Sequence, residues 1–173
     1  MNETAAGKKV FFLYPQSVIQ EELISFLLKN EYEVYFLNDH IKAKRIFRQF
    51  NNSICFINID DGLKEAEWGE YISSLRSDSE IKGLQIGILS YNNDPGLMQK
   101  YLMDIGVEAG FIQLKLGIKQ STEIILKVLD ANEAKGRRKF VRVNCENDQR
   151  VVLNFNHKDS SYEGQIIDLS SVG

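Results

Sequence analysis

Arg138 and Arg142 stand four residues apart in a run, Lys135 to Arg142, in which five of eight side chains are basic. Guanidinium groups make forked, charge-assisted bonds to phosphate, so anion recognition is the first chemistry this sequence offers. Downstream, Asp168-Leu169-Ser170-Ser171-Val172-Gly173 supplies a carboxylate, hydroxyls and a glycine. A second place with chemical potential is Asn58-Ile59-Asp60-Asp61, where two adjacent carboxylates follow an apolar run. Asp60 is a candidate nucleophile there; the plain alternative is that both carboxylates solvate a loop or cap the next segment. His40 and His157 lie far apart in polar surroundings and are expected to be solvated, without metal-ligand spacing. The two cysteines, Cys55 and Cys145, lie 90 positions apart, which indicates neither a disulfide framework nor a zinc site. Cys55 reads as a small core residue and Trp68 as packing. No metal and no cofactor are expected, and no phosphate-binding Gly-x-x-x-x-Gly-Lys run or dinucleotide fingerprint occurs.

The elements that carry these residues are written in the hydrophobic pattern. Val10 to Tyr14 is a short apolar run rich in strand formers, and Ile19, Leu23, Phe26 and Leu27 follow at helical spacing. Glu33 to Leu37 reads as a second strand, and Ala43, Ile46, Phe47 and Phe50 as a second helix. Ser53 to Ile59, Leu84 to Leu89 and Ala109 to Leu114 read as further strands. Trp68, Ile72 and Leu75, then Met98, Tyr101, Leu102 and Ile105, then Ile124, Ile125, Val128 and Leu129, mark the helices after them. Five alternating strand–helix pairs predict an α/β, doubly wound parallel sheet with right-handed crossovers. Charge and pattern both change near Lys135: residues 1–134 hold 14 basic and 19 acidic side chains, residues 135–173 hold 7 and 5. We therefore expect two domains, 1–134 and 135–173. The second contains three β-rich runs, Phe140 to Val143, Val151 to Phe155 and Gln165 to Leu169, separated by polar turns that include Lys158-Asp159-Ser160-Ser161. They predict the opening of an antiparallel barrel or sandwich.

The first pattern, over roughly residues 8–132, resembles the receiver domain of bacterial response regulators, a flavodoxin-like fold. The resemblance implies an acidic pair after the first strand to hold Mg²⁺. It also implies a phosphate-accepting aspartate at the end of the third strand, a Thr or Ser ending the fourth and a Lys ending the fifth. Carried over by position, the acidic pair becomes Tyr14-Pro15, the acceptor Asn58 and the lysine Gln113; Ser90 keeps the hydroxyl. Lys115 lies two residues beyond Gln113, on the same strand face by alternation. Tyr14 and Pro15 offer no hard oxygen ligand of the kind Mg²⁺ requires, and an amide is no phosphoryl nucleophile. Phosphoryl transfer depends on metal-assisted charge neutralisation, so the expectation is a receiver-like (pseudo-receiver) domain that takes no phosphate. The competing expectation is a phosphorylated response regulator using Asp60, which strand alternation puts on the face of Asn58.

In the second segment, Arg138-x-x-x-Arg142, followed after 25 intervening residues by Asp168-x-Ser170-x-x-Gly173, resembles the signature of the PilZ domain. That resemblance implies binding of cyclic di-GMP. Arg137, Arg138 and Arg142 would meet its phosphates and the acceptor edges of its guanines, as arginines do in nucleic-acid complexes. Asp168 would accept from the opposite guanine edge, Ser170 would add a hydroxyl, and Gly173 would let the backbone approach without a Cβ. PilZ barrels are longer than the 39 residues after Ala134, so the barrel is expected to be cut short. The resulting open β edge is expected to leave residues 140–173 poorly ordered or to pair with another copy of the chain as a homodimer.

Composition narrows the function classes. Hydrophobic residues make up 43% and charged residues 26% of the 173, with a net charge of -3, an ordinary soluble globular balance. No apolar run approaches the ~20 residues of a membrane span, and Met1 to Lys9 has no apolar signal core, so a cytoplasmic location is expected. The basic patch is short and has only Phe140 as an aromatic, which argues against DNA or RNA as the partner. The sequence therefore reads as a non-enzymatic signalling effector. Its receiver-like domain would contact an unidentified protein and its PilZ segment would bind cyclic di-GMP. The alternative is an interaction module that binds no nucleotide.

Overall fold

A computed structural model of the chain describes residues 8–16, 21, 26–27, 32–50, 52–132, 134, 142–144, 152–157, 160–165 and 168–170. The chain divides into two compact units, Met1–Arg137 and Arg138–Gly173; the charge pattern alone puts the junction at 134/135.

The first unit holds β1 (Lys9–Leu13), β2 (Glu33–Leu37), β3 (Ile54–Asn58), β4 (Gln85–Ser90) and β5 (Phe111–Gln113). All pair in parallel, in the order β2-β1-β3-β4-β5. Parallel neighbours require long crossovers, and helices fill them. Glu21, Phe26 and Leu27 are helical between β1 and β2. α1 (His40–Gln49), α2 (Glu65–Arg76), α3 (Pro95–Gln99) and α4 (Ile118–Ala131) occupy the later connections. Local signals start these helices. The Asp39 carboxylate accepts from the N–H of Ile41 at 2.9 Å and of Lys42 at 3.0 Å, and Asp94 does the same for Gly96 and Leu97, with Pro95 at the first helical position.

Alternation along the strands sorts the core into two layers. Val10 and Phe12 of β1, with Ile54 and Phe56 of β3, face Leu27, Ile125 and Leu129. Phe11, Leu13, Cys55 and Ile57 face the opposite side, with Ala43, Phe47, Trp68, Ile72 and Tyr101. The first layer contains a ladder of rings across three neighbouring strands. Phe12 stacks on Phe36 at 5.6 Å and on Phe56 at 5.2 Å between centroids. Gly87 of β4 lies opposite Phe56 in the pairing register, and a Cβ there would meet Phe56 Cδ1 at 2.8 Å and the Ala109 carbonyl oxygen at 3.1 Å. Gly87→Ala therefore overpacks the ladder and is expected to cost about 1–3 kcal/mol, read as a lower urea midpoint of the full chain.

One helix departs from its expected form. The spacing of Met98, Tyr101, Leu102 and Ile105 predicts a plain α-helix, but α3 stops at Gln99 and Lys100–Ile105 winds as a π-helix. The N–H groups of Gly106 and Val107 both reach the Tyr101 carbonyl at 3.0 Å, and Gly106 ends the turn in the left-handed region at φ 73°. A wider turn rotates the face it presents. Tyr101 is fully buried, while Leu102, expected inward, is 37% exposed.

The second unit contains two antiparallel ribbons. β6 (Arg142–Asn144) pairs with β9 (Asp168–Ser170), placing Arg142 opposite Ser170 and Asn144 opposite Asp168. β7 (Val152–His157) pairs with β8 (Ser160–Gln165), from Val152 opposite Gln165 to His157 opposite Ser160. The antiparallel pairing agrees with the pattern, but two details correct it. Ser160 and Ser161, expected in a turn, belong to β8, because their ladder partners on β7 supply the backbone bonds that their side chains do not advertise. The run Gln165 to Leu169, expected as one strand, is shared between β8 and β9, which belong to different ribbons. No closed barrel is present among the described residues.

Candidate functional site at the carboxyl end of the sheet

Open parallel sheets present their ligand sites beyond the carboxyl ends of the strands, where the strand order reverses. In the order β2-β1-β3-β4-β5 that point lies between β1 and β3. Tyr14 and Pro15 follow β1, Asn58 ends β3, Ser90 ends β4 and Gln113 ends β5. Topology thus brings the receiver-like positions to one end of the sheet.

Tyr14 occupies the place where hard oxygen ligands are expected, and it is held hard. Its backbone is left-handed, φ 52°, which a bulky residue adopts only when its surroundings impose it. Its N–H donates to the Leu37 carbonyl at 2.7 Å and its carbonyl accepts from the Asn58 side-chain amide at 2.9 Å. Its hydroxyl sits 3.2 Å from His40 Nδ1, and its ring meets Trp68 edge-on at 5.8 Å. The chain also closes over the other face: a Cβ at Gly62, itself left-handed at φ 78°, would meet the Tyr14 ring at 2.7 Å. His40 is therefore not the free, solvated histidine its local sequence suggests. It is half-buried, with its ring edge-on to Trp68 and to Tyr71, whose hydroxyl donates to the His40 carbonyl at 2.7 Å. The expected core role of Trp68 holds: it is fully buried, and its indole N–H donates to the Asp61 carbonyl at 2.9 Å.

Asn58 is buried and spends both halves of its amide inside the chain. Besides the bond to Tyr14, its oxygen accepts from the Asp60 N–H at 3.2 Å. β3 ends at Asn58, so strand alternation does not govern Asp60; it lies in the turn beyond. There one carboxylate oxygen accepts from the Ser90 hydroxyl at 2.6 Å and the other from the Tyr91 N–H at 2.6 Å. Both oxygens of the candidate nucleophile already hold donors. Asp61 turns away and accepts from the Gly62 N–H at 2.6 Å, as a loop carboxylate does.

The remaining positions are equally engaged. Ser90 is fully buried and its oxygen also accepts from the Asn92 N–H at 2.9 Å. Gln113 at the end of β5 points its amide nitrogen to Met98 Sδ at 3.0 Å. Lys115 is not on the strand face of Gln113. It sits in the 3₁₀ turn Leu114–Leu116 and reaches the Asn93 side-chain oxygen at 3.0 Å, because Gly117 and the start of α4 require the strand to end first. Among the described residues, no group of three His, Cys, Asp or Glu side chains is placed to hold a metal ion. Cys55 is buried and free, and burial pushes its thiol pKa up, which makes it a poor nucleophile.

Sequence reasoning missed the Tyr91 N–H, Asn92 and the Tyr14–His40–Trp68–Tyr71 cluster. Asn92-Asn93-Asp94-Pro95 carried a readable helix-start signal, a capping acid before a proline. The aromatic cluster carried none, since Tyr14 follows β1, His40 opens α1 and only Trp68 and Tyr71 share an element, α2. Of the predicted nucleotide-binding residues, Arg137, Arg138 and Gly173 lie outside the described residues, while β6 and β9 bring Arg142, Asp168 and Ser170 onto one ribbon of the second unit.

No protein-family profile and no curated protein matches the sequence. Solved structures do. The signal receiver domain of an HD domain-containing protein from Pseudomonas fluorescens Pf-5 is 12% identical, with a TM-score of 0.56, over 76% of this chain and 93% of that one. The chemotaxis protein CheY4 of Vibrio cholerae is 19% identical, with a TM-score of 0.57, over 73% and 98%. A receiver domain of a two-component histidine kinase from Clostridium thermocellum is 19% identical, with a TM-score of 0.55, over 71% and 97%. At such identities the likeness speaks for the backbone: the five-stranded first unit has the receiver fold.

Proposed function

We propose that the chain is a non-enzymatic, cytoplasmic signalling effector. Its first unit is a protein-interaction platform that takes no phosphoryl group, and its second unit binds cyclic di-GMP. The observation that carries the first half is the carboxylate of Asp60, whose two oxygens hold the Ser90 hydroxyl and the Tyr91 N–H while Tyr14 and Pro15 stand where a cation would need oxygen ligands. A phosphoryl group arriving there meets a carboxylate already engaged at both oxygens, with no hard oxygen ligands at positions 14 and 15 to hold a neutralising cation. Incubation with acetyl phosphate and Mg²⁺ is expected to leave the intact mass unchanged. A stoichiometric gain localised to Asp60 would instead establish the phosphorylated-regulator reading.

The second half rests on the Arg138-x-x-x-Arg142 and Asp168-x-Ser170-x-x-Gly173 pattern, and the β6–β9 register supports it by setting Arg142 across from Ser170. Two phosphates and two guanines suit arginine forks on one side and a carboxylate on the other. Calorimetric titration of the chain with cyclic di-GMP is expected to show saturable binding. Arg138→Ala and Arg142→Ala should each weaken it by about tenfold or more, the usual loss for a charge-assisted bond. Absence of binding, or equal affinity in both variants, would leave the interaction module alone.

A further inference from the structure

Beyond the strand ends, one continuous line of hydrogen bonds runs from β3 to the start of α3. Asn58 accepts from the Asp60 N–H, and the Asp60 carboxylate takes the Ser90 hydroxyl and the Tyr91 N–H. Ser90 Oγ accepts from the Asn92 N–H, and the Asn92 side chain accepts from the Asp94 N–H at 3.0 Å. Asp94 then caps Gly96 and Leu97. Lys115 closes the far side through Asn93. The loop between β4 and α3 is otherwise exposed, from Tyr91 to Gly96, and contributes no large side chain to the buried core. A loop with so little burial takes its conformation from hydrogen bonds, and among the described residues the one charged acceptor reaching it from another strand connection is Asp60.

We propose that the Asp60 carboxylate is a built-in tie that fixes the β4–α3 loop, and through Asn92 and Asp94 the first turn of α3, in one conformation. The surface around Tyr91 is then set by a charge carried in the chain and needs no added group to form. The tie deepens the reading of the first unit as a platform without phosphate and rests on it, because it requires the Ser90 and Tyr91 donors to be permanently taken. It is independent of nucleotide binding by the second unit.

Amide hydrogen exchange on the full chain, resolved by NMR, tests it. Losing a bond to a charged acceptor at an exposed loop should speed local opening by about tenfold. Asp60→Ala is expected to accelerate the Tyr91 and Asn92 amides together by that factor and to leave Ile57 and Ile88, in the strands, unchanged. Ser90→Ala removes a different link, so it should free the Asn92 amide while Tyr91 stays protected by Asp60. Tyr91 exchange within twofold of the parent in Asp60→Ala would overturn the tie. So would equal acceleration at Ile57 and Ile88, which would make Asp60 a residue of global stability. Mass gain at Asp60 with acetyl phosphate would sink the underlying reading instead, a separate observable.

Discussion

Trp68→Ala is expected to remove about 3–5 kcal/mol of stability, the range for a fully buried large aromatic. The indole has no exposed surface and meets Tyr14 at 5.8 Å, His40 at 6.2 Å and Tyr71 at 5.6 Å between centroids, all edge-on. Edge-on pairs add to what area alone contributes. Truncation also removes one of the two donors to the Asp61 carbonyl, which accepts the indole N–H and keeps the Leu63 N–H. Loss of the ring removes one wall of the site that holds Tyr14 left-handed, so the strain at that residue is no longer offset. Set against a total of about 5–15 kcal/mol for an ordinary domain, the variant should be close to unfolding at 37 °C. Urea titration followed by far-ultraviolet circular dichroism measures this. Trp68→Phe keeps most of the packing and should retain more than half of the lost stability; a cost below about 1 kcal/mol for Trp68→Ala would show that the cluster adds little.

Alkaline pH should weaken the fold steeply, and the sign follows from which state keeps its protons. Burial pushes the pKa of Cys55 up from its ordinary 9.0, and burial, then the nearby Glu65, pushes that of Tyr101 up from 10.0. The folded chain thus holds these protons after the unfolded chain has released them. Raised pKa values contribute stability that is complete below the unfolded value and fades as pH climbs past it. Both groups are fully buried. At pH 11 the cysteine then withdraws about 3 kcal/mol and the tyrosine about 1 kcal/mol relative to pH 8, at roughly 1.4 kcal/mol per unit beyond the unfolded value. Tyr32 and Tyr71, raised chiefly by burial as well, act in the same direction. Denaturant midpoints from pH 8 to 11 should fall accordingly, and Cys55→Ala should remove the largest single share of the decline between pH 9 and 10. A flat profile would contradict the burial of these groups.

What could be read in advance divides along a physical line. The sheet and its two layers were legible because alternation at Val10–Leu13 and Ile54–Ile57 is a local property of apolar strands. The strand ends at Asn58, Ser90 and Gln113 were legible too, since strands end where apolar runs stop. Asp60 was misplaced because alternation was carried one step past Asn58, where the strand no longer exists. Lys115 failed for the same reason. The π-helix after Gln99 left no mark in the spacing, since Met98, Tyr101, Leu102 and Ile105 fall equally well on an ordinary α-helical face. β8 was missed in part because Ser160 and Ser161 look like turn residues until their partners, His157 and Asn156, are known.

The chain's only tryptophan stands in the aromatic cluster at the sheet's carboxyl end, and none occurs in the second unit. Its emission is therefore a private fluorophore of the first unit, with Tyr14 and Tyr71 beside it as energy donors. Any spectral change on adding a ligand of the second unit would have to travel between the two. A single cuvette measurement, without labels, thus separates an effector whose halves communicate from one whose halves merely share a polypeptide.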